Sequence, residues 1–223
     1  MTYKLSPSSL NLMFECKRCF WLTQHKKWKR PAGIFPSLPS GMDRILKEHF
    51  DRFMEKGELP PELCENGDCD GLKLFDNKEL LKDWRNNFRG VRWTDEEGNI
   101  FFGAIDNILV KKEKLIVLDY KTKGFPIKDI DEASNYYQNQ LNIYNLLLRK
   151  KGYETEDYAF LLFYVPKEVT ETGEVIFDTE LVKREIDVSN AENIFQKAIE
   201  ILNGKCPEKW CEWCEGITKI SKL

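Results

Sequence analysis

Apolar residues fill both faces of two short runs near the middle of the chain, Phe101 to Val110 and Leu115 to Lys121. Such runs predict buried strands. The polar turn between them, Lys111-Lys112-Glu113-Lys114, is short enough to make them an antiparallel pair. Elsewhere apolar positions recur every three or four residues, as helices require. Ser6-Pro7-Ser8-Ser9 supplies a serine cap and a first-turn proline, and Leu10, Met13, Phe14 and Phe20 carry that helix to about Thr23. Residues 30 to 40 read as a proline-bearing loop. A second helix is predicted from about Gly41 to Glu55, with Ile45, Leu46, Phe50, Phe53 and Met54 as its stripe. Residues 58 to 71 read as loop, and Asn77 to Asn87 as a short helix.

Val91-Arg92-Trp93 and the Thr94 to Asn99 turn lead into the two central strands. A helix from about Lys128 to Arg149 follows, then a buried strand over Tyr158 to Val165, a hairpin strand over Val175 to Ile186, and a last helix from Asn190 to Asn203. A three-stranded meander, a crossover helix and a further strand predict an α/β fold, a mixed sheet flanked by helices.

The strand period places the chemistry. Phe102, Ala104, Asp106 and Ile108 share one side of the first strand; Leu115, Val117, Asp119 and Lys121 share one side of the second. Asp106 and Asp119 then face each other across the pair. A lone carboxylate among so many apolar neighbours costs on the order of several kcal/mol, which a divalent ion offsets. An Asp and a Lys on one strand face also read as a salt bridge at a sheet end. Asp106 opposite, and a following helix with Tyr137, Gln140, Tyr144 and Leu147 on one face, favour a metal site. Ordinary packing of a tyrosine-rich helix is the other reading of that face.

Gly103-Ala-Ile-Asp106, Asp119-Tyr-Lys121 and Gln140-Leu-Asn-Ile-Tyr144, in this order, resemble the motifs of PD-(D/E)XK nucleases of the RecB type. The resemblance runs from about residue 5 to about residue 215. It implies a restriction-endonuclease-like core with the N- and C-terminal helical segments brought together. It also implies Mg²⁺ or Mn²⁺ on Asp106, Asp119 and the backbone carbonyl of Tyr120, with His49, or Asp43 in its place, as a third side-chain ligand; His49 also reads, more simply, as a surface histidine beside Glu48. Lys121 would position the attacking water or neutralise charge on the phosphate, and Gln140 and Tyr144 would contact the nucleic-acid backbone or hold site water. The implied activity is metal-dependent hydrolysis of DNA, leaving 5′-phosphate and 3′-hydroxyl ends. An exonuclease acting on single-stranded ends, in DNA processing, repair or CRISPR adaptation, is the expected form. A catalytically silent nucleic-acid-binding or complex-assembly subunit on the same fold is the alternative.

The seven cysteines are Cys16, Cys19, Cys64, Cys69, Cys206, Cys211 and Cys214. An odd number argues against a disulfide framework and for metal binding or free thiols. Relatives of the CRISPR-associated exonucleases and of AddB hold a [4Fe–4S] cluster on one N-terminal and three C-terminal cysteines. The resemblance assigns these to Cys16, Cys206, Cys211 and Cys214. This chain departs from that pattern: Cys19 is additional, Lys17 stands in place of a proline, and the extra C-terminal cysteine precedes the Cys-x-x-Cys pair. Zinc on Cys16, Cys19, Cys211 and Cys214, or no metal at all, stay open. Cys64 and Cys69 read as incidental.

With 223 residues, 42% hydrophobic and 32% charged, the chain fits one compact domain over residues 1–223. Its core is expected at about 90–186, its helical N-terminal part at 5–88, and its C-terminal helix and cysteine segment at 189–216. The longest apolar run is too short for a membrane span, and Met1-Thr-Tyr-Lys-Leu lacks a signal core, so a cytoplasmic location is expected. A net charge of −3 leaves no global basic footprint. Lys17 to Arg30 is nevertheless basic and aromatic, which suits a strand of nucleic acid; it also reads as a solvated helix end with Phe20 and Trp21 in the core. No phosphate-binding Gly-x-x-x-x-Gly-Lys-Thr loop is present, so unwinding would fall to a partner, a helicase or CRISPR adaptation proteins.

Overall fold

The computed structural model describes residues 1–33 and 36–220, side chains excepted at 217–220. In chain order its elements are β1 (Lys4–Leu5), α1 (Pro7–Glu15), α2 (Lys17–Gln24), α3 (Ser37–Lys56), α4 (Pro61–Cys64), a 3₁₀ turn (Gly67–Cys69), β2 (Lys73–Leu74), α5 (Lys78–Trp84), β3 (Val91–Thr94), β4 (Ile100–Gly103), β5 (Asn107–Lys111) and β6 (Lys114–Thr122). There follow α6 (Ile130–Asn135), α7 (Gln138–Lys150), β7 (Tyr158–Val169), β8 (Val175–Glu185), α8 (Val188–Asn203) and α9 (Glu212–Ile220). The expected α/β class stands: mixed sheets flanked by helices, with the chain's two ends in contact through α2 and α9. Among the described residues no helix is long and apolar enough to cross a membrane.

The strands form two sheets, ordered β1-β4-β3 and β2-β5-β6-β7-β8. β6 and β7 are parallel, joined by the α6–α7 crossover; the other neighbours in the larger sheet are antiparallel. Residues 141–148 of α7 are all buried, because the helix packs against β3, β4, β6 and α8 at once. A helix covered on so many sides has no polar face to spare, and Asn142 and Asn145 are buried with hydrogen bonds.

Three sequence expectations are corrected here. The run Phe101 to Val110 is not one strand, and the meander is not in one sheet: β4 and β5 belong to different sheets, separated at Ala104-Ile105-Asp106. The ring of Tyr144 fills the space beside Gly103, where a Cβ would stand 2.5 Å from its Cε1. The Ile105 N–H then bonds to the Trp84 carbonyl at 3.0 Å rather than to a strand. The helix expected over Lys128 to Arg149 is two, divided where the Tyr137 N–H turns back three residues to Ser134. The first helix likewise divides at Cys16, whose extended backbone ends α1 and whose Sγ accepts the Cys19 N–H at 3.4 Å, capping α2. Phe20 is fully buried and Trp21 stacks on His25, so these two aromatics of the basic stretch serve packing.

Candidate active site

Asp119 and Lys121 sit near the C-terminal end of β6, an interior strand, and point together toward α7. Asp106 lies just before β5, opposite Asp119 by extension of the pairing Asn107 with Leu118. Its Oδ2 accepts the Tyr120 N–H at 3.1 Å. Its backbone is held from the other side, where Arg85 Nε donates to the Asp106 carbonyl at 2.7 Å. Arg85 is itself fixed by an ion pair with Asp51 at 2.7 Å.

Gln140, on the first turn of α7, ties the group together. Its Nε2 donates to Asp119 Oδ1 at 3.1 Å and to the Tyr144 hydroxyl at 2.7 Å, while its Oε1 accepts from Lys121 Nζ at 3.4 Å. The helical spacing of Gln140 and Tyr144 makes this possible. Lys121 Nζ forms an ion pair with Asp119 Oδ2. Asp119 is 1% exposed. Burial, reinforced by Asp106 and opposed by Lys121, pushes its carboxyl up to about 7. Burial draws Lys121 down, but Asp119 and Asp106 outweigh it and hold the ammonium above its ordinary value.

These residues line a cleft of 760 Å³, together with the start of α1, the first half of α3 and the Tyr136–Tyr137 turn. Across the cleft Lys47 Nζ lies 3.1 Å from Asp106 Oδ1 and 2.7 Å from Asp43 Oδ1. The sequence alone does not single out Lys47, although Asp43 and Lys47 have the i,i+4 spacing that puts two side chains on one helix face. Among the residues lining the cleft, Asp43, Asp106 and Asp119 face only Lys47 and Lys121 as cations. With all three carboxylates ionised the surplus is one negative charge. Hard carboxylate oxygens facing one another, one of them buried, and an ammonium standing between two carboxylates fit a divalent ion such as Mg²⁺ or Mn²⁺.

The structure brings together Asp106, Asp119, Lys121, Gln140 and Tyr144, and sets the Tyr120 backbone against Asp106. It does not bring His49. The His49 Nε2 pairs with Glu62 at 3.1 Å and lines a separate groove with Tyr164. Two residues beyond Lys47 is a rotation of about 200° around α3, so His49 faces away from the cleft while Asp43 and Lys47 face it.

A second group forms between the chain ends. The Sγ atoms of Cys16, Cys19, Cys211 and Cys214 all lie within 4.8 Å of one another. Cys206, expected in this set, is outside it; its Sγ is 3.9 Å from the Pro207 carbonyl. Cys19, a buried residue of α2, takes its place because the break at Cys16 turns both thiols to one side.

The sequence matches the family model of the PD-(D/E)XK nuclease superfamily over residues 4–217. No curated protein matches. Among solved structures, that of SSO0001 is similar, at 14% identity, covering 94% of this chain and 80% of that one with a TM-score of 0.43.

Proposed function

This chain belongs to the PD-(D/E)XK nuclease superfamily, and from that membership we propose that it is a Mg²⁺- or Mn²⁺-dependent deoxyribonuclease, trimming single-stranded DNA from an end. The observation that carries the reading is the convergence of Asp106, Asp119, Lys121 and Gln140 in one cleft, with the Asp119 carboxylate buried among them. Asp106 and Asp119 would hold the ion. When bound, the ion supplies Lewis-acid polarisation of a phosphate oxygen and a water of lowered pKa.

The protein's own side chains do the rest. Lys121, kept charged by its two carboxylate neighbours, offsets the negative charge that gathers on the phosphate during attack. Gln140 holds the head groups of Asp119 and Lys121 in fixed relation, so little reorganisation is needed on binding. Tyr144 anchors Gln140. Tyr136 is 69% exposed on the cleft wall and meets Tyr137 edge to face, a surface on which unpaired bases can stack. That exposed ring favours a single strand over a duplex, whose bases are already stacked. DNA processing, repair or CRISPR adaptation is the proposed setting, with unwinding supplied by a helicase or another partner.

The test is digestion of matched linear and circular single strands, and of linear duplex, with Mg²⁺ or Mn²⁺. The expected result is loss of the linear single strand, with 5′-phosphate products, and survival of the circle. Cutting of the circle would refute the end-directed mode. Binding of DNA without any cleavage would instead support a catalytically silent binding or assembly subunit.

A further inference from the structure

We propose that Cys16, Cys19, Cys211 and Cys214 hold one tetrahedral zinc ion, not a [4Fe–4S] cluster, and that this ion fastens the N-terminal helices to the C-terminal segment. The first ground is size. Four thiolates around one zinc, each about 2.3 Å from it, stand about 3.8 Å apart. At the corners of a cubane cluster they stand about 6.4 Å apart, because the iron and sulfide atoms come between them. Here the Cys19 and Cys211 sulfurs are 3.4 Å apart, those of Cys211 and Cys214 are 3.7 Å apart, and no pair of the four exceeds 4.8 Å. This spacing matches one ion and falls short of what a cluster needs.

The second ground is how the sulfurs are prepared for charge. Each Cys-x-x-Cys pair turns a backbone N–H onto a sulfur: Cys19 N–H onto Cys16 Sγ at 3.4 Å, and Cys211 N–H onto Cys214 Sγ at 3.2 Å. Arg30 reaches the same group, its Nη2 3.7 Å from Cys211 Sγ. Four thiolates on a divalent ion carry a net charge of about −2, which such donors and a guanidinium spread and offset. Soft ligands in a tetrahedral set select zinc over the hard cations suited to the Asp106–Asp119 cleft.

The third ground is what the site joins. Residues 205–210 run between α8 and α9 without regular structure. They are held by the Arg18 bond to the Pro207 carbonyl at 2.7 Å and by the Arg18 guanidinium 3.7 Å above the Trp210 ring. Cys19 and Cys211 are 192 residues apart in sequence. Joining them closes nearly the whole chain into a loop and sets α2 against α9.

This inference stands apart from the nuclease reading, and its test reads metal rather than cleavage. The full chain is purified without oxygen from cells given both iron and zinc, and its zinc, iron and acid-labile sulfide are counted. The expected result is about one zinc per chain without sulfide. Replacement by Co²⁺ should give the visible bands of a tetrahedral thiolate site. Cys206→Ala should keep the zinc and Cys19→Ala should lose it. Should Cys19→Ala fail to fold, titration of the folded wild type with a mercurial should release the zinc as the four thiols react. Iron with sulfide, a single iron, loss of metal from Cys206→Ala, or a metal-free chain that takes up no cobalt would each overturn the proposal.

Discussion

Replacing Asp119 with asparagine keeps the shape of the side chain and removes its charge, so it isolates the cost of an ionised carboxylate inside the sheet. The carboxyl ordinarily titrates at 3.8 and is pushed up to about 7 in the fold. The folded state therefore binds this proton more tightly than the unfolded chain. The resulting stability is fully present below about pH 3.8 and is lost as pH rises through about 7. Integrated from pH 5 to pH 8, the loss is about 3 kcal/mol, an upper bound because the buried pair relaxes. Urea denaturation in EDTA at both pH values, wild type beside Asp119→Asn, measures it. The wild type should lose up to that amount more than the variant over this interval. Added Mg²⁺ should restore stability to the wild type most at pH 8, where it meets no competing proton. An equal loss in both proteins would refute the reasoning, since the pH dependence would then come from groups other than Asp119.

Two further substitutions probe the neighbouring contacts. Gly103→Ala should lower the urea midpoint by an amount equivalent to about 1–3 kcal/mol, because its Cβ would stand 2.5 Å from the Tyr144 ring; an unchanged midpoint would mean that the ring yields freely. Lys47→Ala removes the ammonium that lies 3.1 Å from Asp106. The Mg²⁺ concentration that half-saturates thermal stabilisation should then fall by about tenfold; weaker Mg²⁺ binding would show that Lys47 supports the ion site rather than standing in for its occupant.

Much of the cleft is legible in the chain because it rests on local rules. A period of two and a short polar turn suffice to set Asp106 opposite Asp119, and helical spacing suffices to put Gln140 and Tyr144 together. Ser6 caps α1 as its position predicts, accepting the Ser9 N–H at 3.4 Å. What escapes depends on contacts between distant segments. Nothing within Phe101 to Val110 signals a change of sheet, because the Tyr144 ring that stands beside Gly103 comes from a helix 41 residues later. The break at Cys16 is hidden for a similar reason: apolar spacing continues across it, and only the sulfur cap and the partner cysteines near residue 211 account for the bend. Lys47 is invisible until α3 is laid across the cleft, and the same helix turns His49 toward Glu62.

The most direct measurement is the rate at which an end-labelled single strand is shortened in Mg²⁺, by the wild type and by Asp119→Ala, each repeated in EDTA. Both proteins should first be shown to be folded by circular dichroism. If Asp106 and Asp119 hold the ion and Lys121 faces the phosphate, the wild type cuts only with metal, and the variant is slower by at least about a hundredfold. Cleavage by the variant at a rate near that of the wild type, or by the wild type in EDTA, would contradict the assignment of this cleft as the active site.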